Sequence, residues 1–254
     1  MRILSDLHTH TVFSHGKGTP EENVIAAIKS GLSRIAISEH GPGQLAYGVS
    51  FSRLLSLRHE IDRLNRVYQR DITVLMGLEA NLTGSGFCDI PKDTSIFDML
   101  AIGFHRTSMP RDIHGISMFF QGIGIGKDPK GNAQRMIRTM ERFPFAFITH
   151  PGRYIKMDMG LLSKAAAKLN VALEINTSSL SMTDDEVLLA AKNGAFFVVN
   201  SDAHTPDRVG DFEAGLVLIK RLGISSLVIN DSIAKHKFGE LLSYRHSALF
   251  GKPK

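Results

Sequence analysis

Short apolar runs rich in valine, isoleucine and phenylalanine alternate along this chain with longer segments of helical period. This alternation limits the fold more than any other feature. Strands are predicted near residues 2–7, 33–38, 72–78, 98–104, 144–149, 171–175 and 196–200. Helices are predicted between them near residues 20–30, 51–69, 130–142, 160–169, 184–193 and 211–222. A repeated strand–helix order is typical of a parallel sheet covered by helices.

The length of 254 residues suits one α/β barrel of about 250 residues, or two small domains. No linker rich in proline, glycine or serine divides the chain, so a single domain over residues 1–254 is predicted. Residues 224–254 are expected to pack on the barrel as an extension, with a strand or turn at 226–229 and a helix from about 231. The long, glycine-containing stretch 106–128 is predicted to be an active-site loop.

Composition and charge exclude several classes of protein. No stretch approaches the roughly 18–20 apolar residues of a membrane span, and the N-terminus shows no targeting signal, so a cytoplasmic protein is predicted. The single cysteine, Cys88, rules out an internal disulfide and is expected to be an inert thiol in a loop. The net charge of +5 is dispersed, which suits an anionic substrate better than nucleic acid.

Residues able to bind metal or transfer a proton stand at the carboxyl end of every predicted strand. They are His8 and His10, Glu39 and His40, Glu79, His105, His150, Glu174 and Asn176, and Asp202 and His204, with His15 in the first loop. In a parallel barrel all these ends open on one face, where such folds place their chemistry. The other histidines, His59, His114, His236 and His246, are expected at the surface.

The spacing of these residues predicts a metal site. His8 and His10 share one face of a strand, because side chains two residues apart point the same way. A lone residue such as His105 could be a hydrogen-bonded structural histidine, whereas an unpaired Glu79 at a buried strand end would be costly. Seven imidazoles and at least two carboxylates exceed the needs of one tetrahedral ion. Two or three divalent ions (Zn, Mn or Fe) are therefore predicted.

Seven short motifs in order resemble the PHP (polymerase and histidinol phosphatase) superfamily, from Asp6 to about Phe212. They are Asp6-Leu7-His8-Thr9-His10-Thr11 with Ser14-His15-Gly16, Ser38-Glu39-His40-Gly41-Pro42, Gly77-Leu78-Glu79-Ala80-Asn81, Ala101-Ile102-Gly103-Phe104-His105, Thr149-His150-Pro151-Gly152, Leu173-Glu174-Ile175-Asn176 and Asn200-Ser201-Asp202-Ala203-His204. Each motif alone is weakly specific, but their order and spacing together are highly specific.

The resemblance implies an α/β fold, a distorted (β/α)7 TIM-like barrel, with a site for three metal ions. One ion would be bound by His8, His10, Glu79 and Asp202; a second would share Glu79 and add His105 and His150; a third would take His15, His40 and His204. Many members carry aspartate where His15 stands. Glu39 replaces the commoner aspartate before His40 and is expected to accept hydrogen bonds rather than bind metal.

The activity implied is that of a metal-dependent phosphoesterase acting on a small-molecule phosphate monoester. Glu79 and Asp202 would hold the ions between which a hydroxide attacks phosphorus. Arg153, with Lys17 and Arg208 in adjacent loops, could bind the phosphate oxygens, since arginine can donate two parallel hydrogen bonds to them. The substrate itself depends on loops such as 41–50 and 106–128.

Three alternatives remain at this point. A nuclease acting on nucleic-acid ends would use the same site, although no basic groove or aromatic series is evident. An amidohydrolase also opens with a His-x-His strand, but it would not require Glu79 or the Asp202-x-His204 ending. A non-catalytic, metal-stabilised interaction module would be expected to have lost one or more of the predicted ligands.

Overall fold

Seven parallel strands form a sheet that curves into a nearly closed barrel in the computed structural model, which describes residues 1–230. The strands are β1 (Ser5–Thr9), β2 (Arg34–His40), β3 (Thr73–Gly84), β5 (Met99–Gly103), β6 (Phe147–Ile148), β7 (Ala172–Asn176) and β8 (Phe197–Asn200), with a short β4 (Phe87–Cys88) between β3 and β5. Neighbours follow the order β1-β2-β3-β5-β6-β7-β8, and β4 pairs antiparallel with β3. All carboxyl ends of the barrel strands therefore open on one side.

The barrel closes between β8 and β1 through isolated bridges rather than a continuous ladder. Thr9 pairs with Ala203 at the carboxyl end, and Phe197 pairs with Val228 at the other. The amide of Leu4 also donates to the carbonyl of Asn230 (3.0 Å). The segment predicted as a short strand or turn at 226–229 thus fills the gap between the first and last strands. The predicted distorted (β/α)7 TIM-like barrel is confirmed.

Seven helices lie along the barrel in the described part of the chain. They are α1 (Pro20–Lys29), α2 (Phe51–Val67), α3 (Ile113–Gly122), α4 (Pro129–Arg142), α5 (Met159–Lys168), α6 (Asp184–Lys192) and α7 (Glu213–Leu222), with 3-10 turns at Pro206–Arg208 and Ser225–Leu227. Capping boxes start two of them, Thr19 with Glu22 at α1 and Thr183 with Glu186 at α6. These boxes fix the helix starts because they satisfy amides that have no partner within the helix. None of these helices is long and apolar enough to cross a membrane.

Strand β6 is shorter than the predicted 144–149, and two further differences from the prediction affect the open end of the barrel. The stretch 106–128 is not all loop, because α3 occupies its middle and begins where Asp112 accepts a hydrogen bond from the amide of Gly115 (2.7 Å). Its exposed positions include apolar residues such as Ile113 and Phe120, and two of its ten residues are glycines, which disfavour a helix. Strand β3 continues past Glu79, since its last residues form a hairpin with β4.

The barrel interior beneath the open end is filled by a small apolar cluster. Its members are Leu7, Ala36, Met99, Ala101, Ala146, Phe147, Ala172, Val198 and Ile229. A larger core joins the outer faces of the strands to the helices. The inner cluster closes the floor, so the polar residues at the strand ends face one cavity. The predicted helix from about residue 231, with His236 and His246, lies outside the described residues, and the single domain over 1–254 stays a prediction.

Candidate metal centre

The nine residues predicted as metal ligands lie together at the open end of the barrel. They are His8, His10, His15, His40, Glu79, His105, His150, Asp202 and His204, and all except His8 line a cavity of about 120 Å³. His8 lies just below them, fully buried. His15 is exposed, and the side chain of His204 is 36% exposed. The cluster therefore runs from a dry floor to a solvent-accessible rim.

Four ligand atoms on the floor lie close together, but they divide between two compact groups, His8 with His10 and Glu79, and His10 with Asp202 and His204. The Nε2 atoms of His8 and His10 are 3.1 Å apart. Each of them lies 3.4 or 3.5 Å from Oε2 of Glu79 and 3.5 Å from Oδ1 of Asp202. Ligand atoms around a tetrahedral ion with bonds of about 2.0–2.2 Å are separated by about 3.3–3.6 Å. The structure therefore brings the predicted first set together.

The two oxygens of Glu79 face different groups of imidazoles. Oε2 faces His8 and His10, whereas Oε1 lies 3.0 Å from Nε2 of His150 and 3.4 Å from Nε2 of His105. A carboxylate in this position can bridge two cations. Burial would raise the pKa of Glu79, but His105, His8 and His40 outweigh it and hold that pKa well below its usual value.

His15, His40 and His204, the predicted ligands of the third ion, lie nearby but do not form a separate group. Nε2 of His204 lies 2.7 Å from Nε2 of His15. His10 lies between the members, since the compact groups are His10 with His15 and His40, and His10 with Asp202 and His204. His40 also reaches the floor, where its Nδ1 is 3.0 Å from Oε2 of Glu79.

Unsatisfied buried atoms show that this cluster fits metal ions. Nδ1 of His10, both ring nitrogens of His40 and Oε2 of Glu79 are buried without a well-directed hydrogen bond, although Nδ1 of His40 and Oε2 of Glu79 lie 3.0 Å apart. Such atoms are rare in native proteins, because each costs about 1–3 kcal/mol when it is left unpaired. Imidazole nitrogens and carboxylate oxygens are the donors that zinc, manganese and iron accept. The donor set and its unpaired atoms fit divalent ions.

Two residues at the site adopt a backbone conformation that non-glycine residues rarely take. His150 has φ +28° and Asp202 has φ +51°, both on the left-handed side. Strained conformations of this kind cost about 1–3 kcal/mol and cluster at functional sites. The turns after β6 and β8 thus direct these side chains into the cavity at some cost in stability.

Glu174 on β7 orients the floor without facing the cavity. Its Oε1 accepts hydrogen bonds from Nδ1 of His8 (2.8 Å) and Nδ2 of Asn200 (2.9 Å). Its Oε2 accepts from the amide of His150 (2.7 Å) and Nδ2 of Asn176 (3.0 Å). The proton of His8 is thereby fixed on Nδ1, which leaves Nε2 free to bind a cation. The sequence marked Glu174 as a strand-end acid but did not give it this role.

Replacing Glu174 with glutamine is expected to lower metal affinity and activity by about 10–100-fold, the usual loss for a group that orients a ligand. All four of its contacts are donors, so the amide group of glutamine would face two of them. Metal content after dialysis against graded chelator, compared with wild type, measures the effect. A Glu174→Gln protein with unchanged metal retention would contradict this role.

A second chain of hydrogen bonds orients His105. Its Nδ1 donates to Oδ1 of Asn81 (2.7 Å), and Nδ2 of Asn81 donates to Asp89 (2.6 Å). Asp89 follows β4 and also accepts from the amide of Gly43 (2.9 Å). Burial raises the pKa of Asp89 to about 6. The sequence gave no signal for Asp89, because the hairpin that places it was not predicted.

Glu39 behaves as expected for an acceptor that does not face the floor. It accepts hydrogen bonds from the amide (2.9 Å) and hydroxyl of Thr11 and from the hydroxyl of Ser14. Its Oε2 lies 3.7 Å from Nδ1 of His10. Glu39 therefore anchors the loop that carries His15.

Only one of the three predicted phosphate-binding residues lies among the described residues that line the cavity. Arg153 donates to Oδ2 of Asp202 (3.2 Å), and its side chain is 30% exposed. Arg208 instead pairs with Asp211 (2.6 Å). Lys17 is exposed, and its backbone amide donates to the carbonyl of His204 (2.8 Å). The cavity does not gather Lys17 or Arg208, so their role in binding phosphate stays a prediction.

Two tyrosines that the sequence did not single out also line the cavity. The ring of Tyr47 stacks on His15 with centroids 4.1 Å apart, and the ring of Tyr154 lies 5.6 Å from both His105 and His150. Tyr47 lies in the loop 41–50, which was expected to influence the substrate.

His59, His114 and Cys88, which were not predicted to belong to the site, lie away from the cluster. His59 is exposed on α2, as expected, whereas His114 is half-buried and 3.5 Å from the guanidinium of Arg135. Cys88 is in β4 rather than a loop, and burial raises the pKa of its thiol to about 12, which fits an inert thiol.

A parallel α/β barrel with imidazoles and carboxylates converging at its carboxyl end defines the class of metal-dependent hydrolases. Residues 6–193 match the PHP domain family. A probable phosphatase of Shewanella sediminis is 30% identical over 232 residues, which cover 87% of this chain and 86% of that protein. The chain belongs to the PHP domain family and is a metal-dependent phosphoesterase.

Two further comparisons agree with this assignment. A probable phosphatase of Thermoanaerobacter sp. strain X514 is 29% identical over 253 residues, which cover 93% of this chain and 94% of that protein. The fold is similar to a crystal structure of histidinol phosphate phosphatase from Lactococcus lactis in complex with zinc, L-histidinol and phosphate. That similarity has a TM-score of 0.59 at 18% identity, over 86% of this chain and 93% of that one.

Proposed function

We propose that this protein hydrolyses small-molecule phosphate monoesters with two or three divalent ions (Zn, Mn or Fe) held at the open end of the barrel. The observation that carries the proposal is the position of Glu79. Its two buried oxygens face two separate groups of imidazoles at 3.0–3.5 Å. A phosphatase that uses adjacent ions needs such a shared ligand to keep them at a fixed separation.

The ligands would divide as the family pattern implies. His8, His10, Glu79 and Asp202 would hold one ion; Glu79, His105 and His150 a second; His15, His40 and His204 a third. When bound, such ions supply a hydroxide nucleophile near neutral pH and neutralise charge on the phosphoryl oxygens. Glu79 and Asp202 contribute as the buried carboxylates that hold the ions.

The other residues at the mouth would bind and orient the ester. Arg153 reaches the cavity from the turn after β6, and its guanidinium can donate two hydrogen bonds to phosphoryl oxygens. Asp202 keeps this guanidinium beside the metal ligands. Tyr47 and Tyr154 close the sides of the cavity and reduce the access of water. No serine, cysteine or threonine nucleophile is required.

A small ester is favoured as the substrate over a nucleic-acid end. The cavity is small, with a volume of about 120 Å³. Its aromatic side chains contact the imidazoles of the proposed metal ligands instead of forming a row on which bases could stack. The curated relatives are named probable phosphatases, and the Lactococcus structure contains histidinol and phosphate. These names support the reaction type and leave the particular ester to experiment.

The test combines elemental analysis with a substrate panel. Freshly purified protein is expected to carry two or three divalent ions per chain and to release phosphate from p-nitrophenyl phosphate and small phosphate esters. Activity should disappear on chelation and return when Zn, Mn or Fe is added back. Labelled oligonucleotides serve as the comparison. Cleavage of the oligonucleotides without turnover of the small esters would overturn the proposal in favour of a nuclease.

A further inference from the structure

A second cationic group lies beside the cavity, and the proposed hydrolysis at the metal centre does not require it. Arg106 follows His105 directly and is exposed to solvent. Its guanidinium carbon lies 5.4 Å from the centre of the Tyr154 ring, while that of Arg153 lies 5.2 Å from the same centre. The two guanidinium carbons are therefore less than 11 Å apart.

The position of Arg106 is tied to the site. Tyr154 lines the cavity and contacts both His105 and His150, so a group held on its ring stays close to the metal ligands. The next residue, Thr107, is anchored too, because its carbonyl accepts from the amide of Leu45 (3.0 Å). A guanidinium held on an aromatic ring is stabilised by about 0.5–1 kcal/mol at an exposed site.

The two arginines differ in their charge partners. Arg153 forms an ion pair with Asp202, whereas no carboxylate within residues 1–230 pairs with Arg106. An arginine keeps its charge at every physiological pH, and its five N–H groups match phosphate oxygens. Among the described residues, the Arg106 guanidinium is therefore held on Tyr154 without a carboxylate partner. It can donate hydrogen bonds to a second anion that lies beside the phosphate at the metal centre.

We propose that Arg106 binds a second phosphate on the substrate, so that the preferred substrates are phosphate monoesters whose leaving group carries a further phosphate. The scissile phosphate would lie at the metal cluster beside Arg153. The distal phosphate would lie on Arg106, with the linking atoms passing along Tyr154. This inference rests on the proposed phosphatase activity, and it names the substrate class for the same site.

Non-hydrolysable phosphonates separate this inference from the proposed activity. Butylphosphonate carries one anionic group, and butane-1,4-bisphosphonate and hexane-1,6-bisphosphonate carry two. Dissociation constants are measured by calorimetry on metal-loaded wild type, Arg106→Gln and Arg111→Gln. Arg111 is the matched control, because it is an exposed arginine of the same segment that lies near Cys88 instead of the cavity. Turnover of p-nitrophenyl phosphate is recorded for each protein.

Wild type and Arg111→Gln are expected to bind at least one bisphosphonate about tenfold more tightly than butylphosphonate, the gain typical of one additional charge-assisted contact. Arg106→Gln should lose that gain while its affinity for butylphosphonate and its turnover of p-nitrophenyl phosphate stay unchanged. A gain that persists in Arg106→Gln, or that is absent in wild type, would overturn the inference. So would an equal loss for all ligands, which would mark Arg106 as a structural support. Absence of turnover in every protein would count against the proposed activity alone.

Discussion

Replacing Glu79 with glutamine is expected to remove bound metal and phosphatase activity together. The side chain is fully buried, and its two oxygens face separate groups of imidazoles. A neutral amide of the same shape keeps the packing but cannot serve two cations as an anionic bridge. Activity should fall by at least about 10²–10³-fold, the loss seen when one stabilising group is removed from an active site, because here two ions lose a shared ligand. Metal per chain and turnover of p-nitrophenyl phosphate are measured on the same preparation.

Two further variants make the Glu79 result specific. Glu79→Ala should give the same loss, so that an effect of the amide itself is excluded. Glu60→Gln removes a carboxylate that pairs with Arg63 on the outside of α2, and it should change neither metal content nor turnover. If Glu79→Gln kept full metal content and full turnover, Glu79 would not be a bridging ligand.

The clustering of the predicted metal ligands could be foreseen because two regularities coincide. Parallel strands place their carboxyl ends on one side of a sheet, and an imidazole or a carboxylate stands at or near the carboxyl end of each predicted strand. The strand–helix alternation gave the first regularity and the motifs gave the second. His8 and Asp202, which are far apart in sequence, were predicted from the family resemblance to bind the same ion, and their ligand atoms lie 3.5 Å apart.

The groups that orient those ligands were harder to predict. Asp89 supports His105 through Asn81 only because β3 turns back into a hairpin with β4, and two short strands leave little periodic signal. Helix α3 was missed because Gly115 and Gly122 lower its helix propensity and several of its exposed residues are apolar. The contact between Arg106 and Tyr154, which lie in two different loops, could not be predicted either. Such side-chain contacts depend on packing, which hydrophobic periodicity does not describe.

Removal of the metal ions with a chelator is expected to lower the melting temperature, and to lower it more as the pH rises from about 6.5 to 9. Contacts with Asp202 and Glu39 raise the pKa of His10 to about 9 against the opposing effect of burial. Glu174, Glu79 and Asp202 likewise raise the pKa of His8 well above its usual value, although burial opposes them. Without metal, the pair therefore carries a proton shared between its two Nε2 atoms, which lie 3.1 Å apart, and this positive charge stabilises the fold through the ion pairs at neutral pH.

The sign of the pH dependence follows from these raised pKa values. The stabilisation of the ion-free protein by His10 is complete below the unfolded pKa of about 6.5 and is lost as the pH rises through about 9. Metal binding has the opposite dependence, because an ion needs neutral imidazoles and must displace the proton that His8 and His10 share. Partial burial and the neighbouring His10 lower the pKa of His15 to about 3 and that of His204 to about 4, so these two are already neutral and release none.

Calorimetric melting of chelated and metal-loaded protein at pH 6, 7, 8 and 9 measures the effect. An ion present at 1,000 times its dissociation constant stabilises by about 4.1 kcal/mol, which is roughly 8–16 °C for a domain of this size. The difference between the two melting temperatures should widen with pH, and titration with metal at pH 7 in buffers of different ionisation enthalpy should show about one proton released per chain. Asp6 and Asp89, whose pKa values burial raises to about 6, lose their protons as the pH rises through about 6, so they contribute little to the change between pH 7 and pH 9. A difference that stays constant or narrows as the pH rises would show that His8 and His10 are not the groups whose protons the metal replaces.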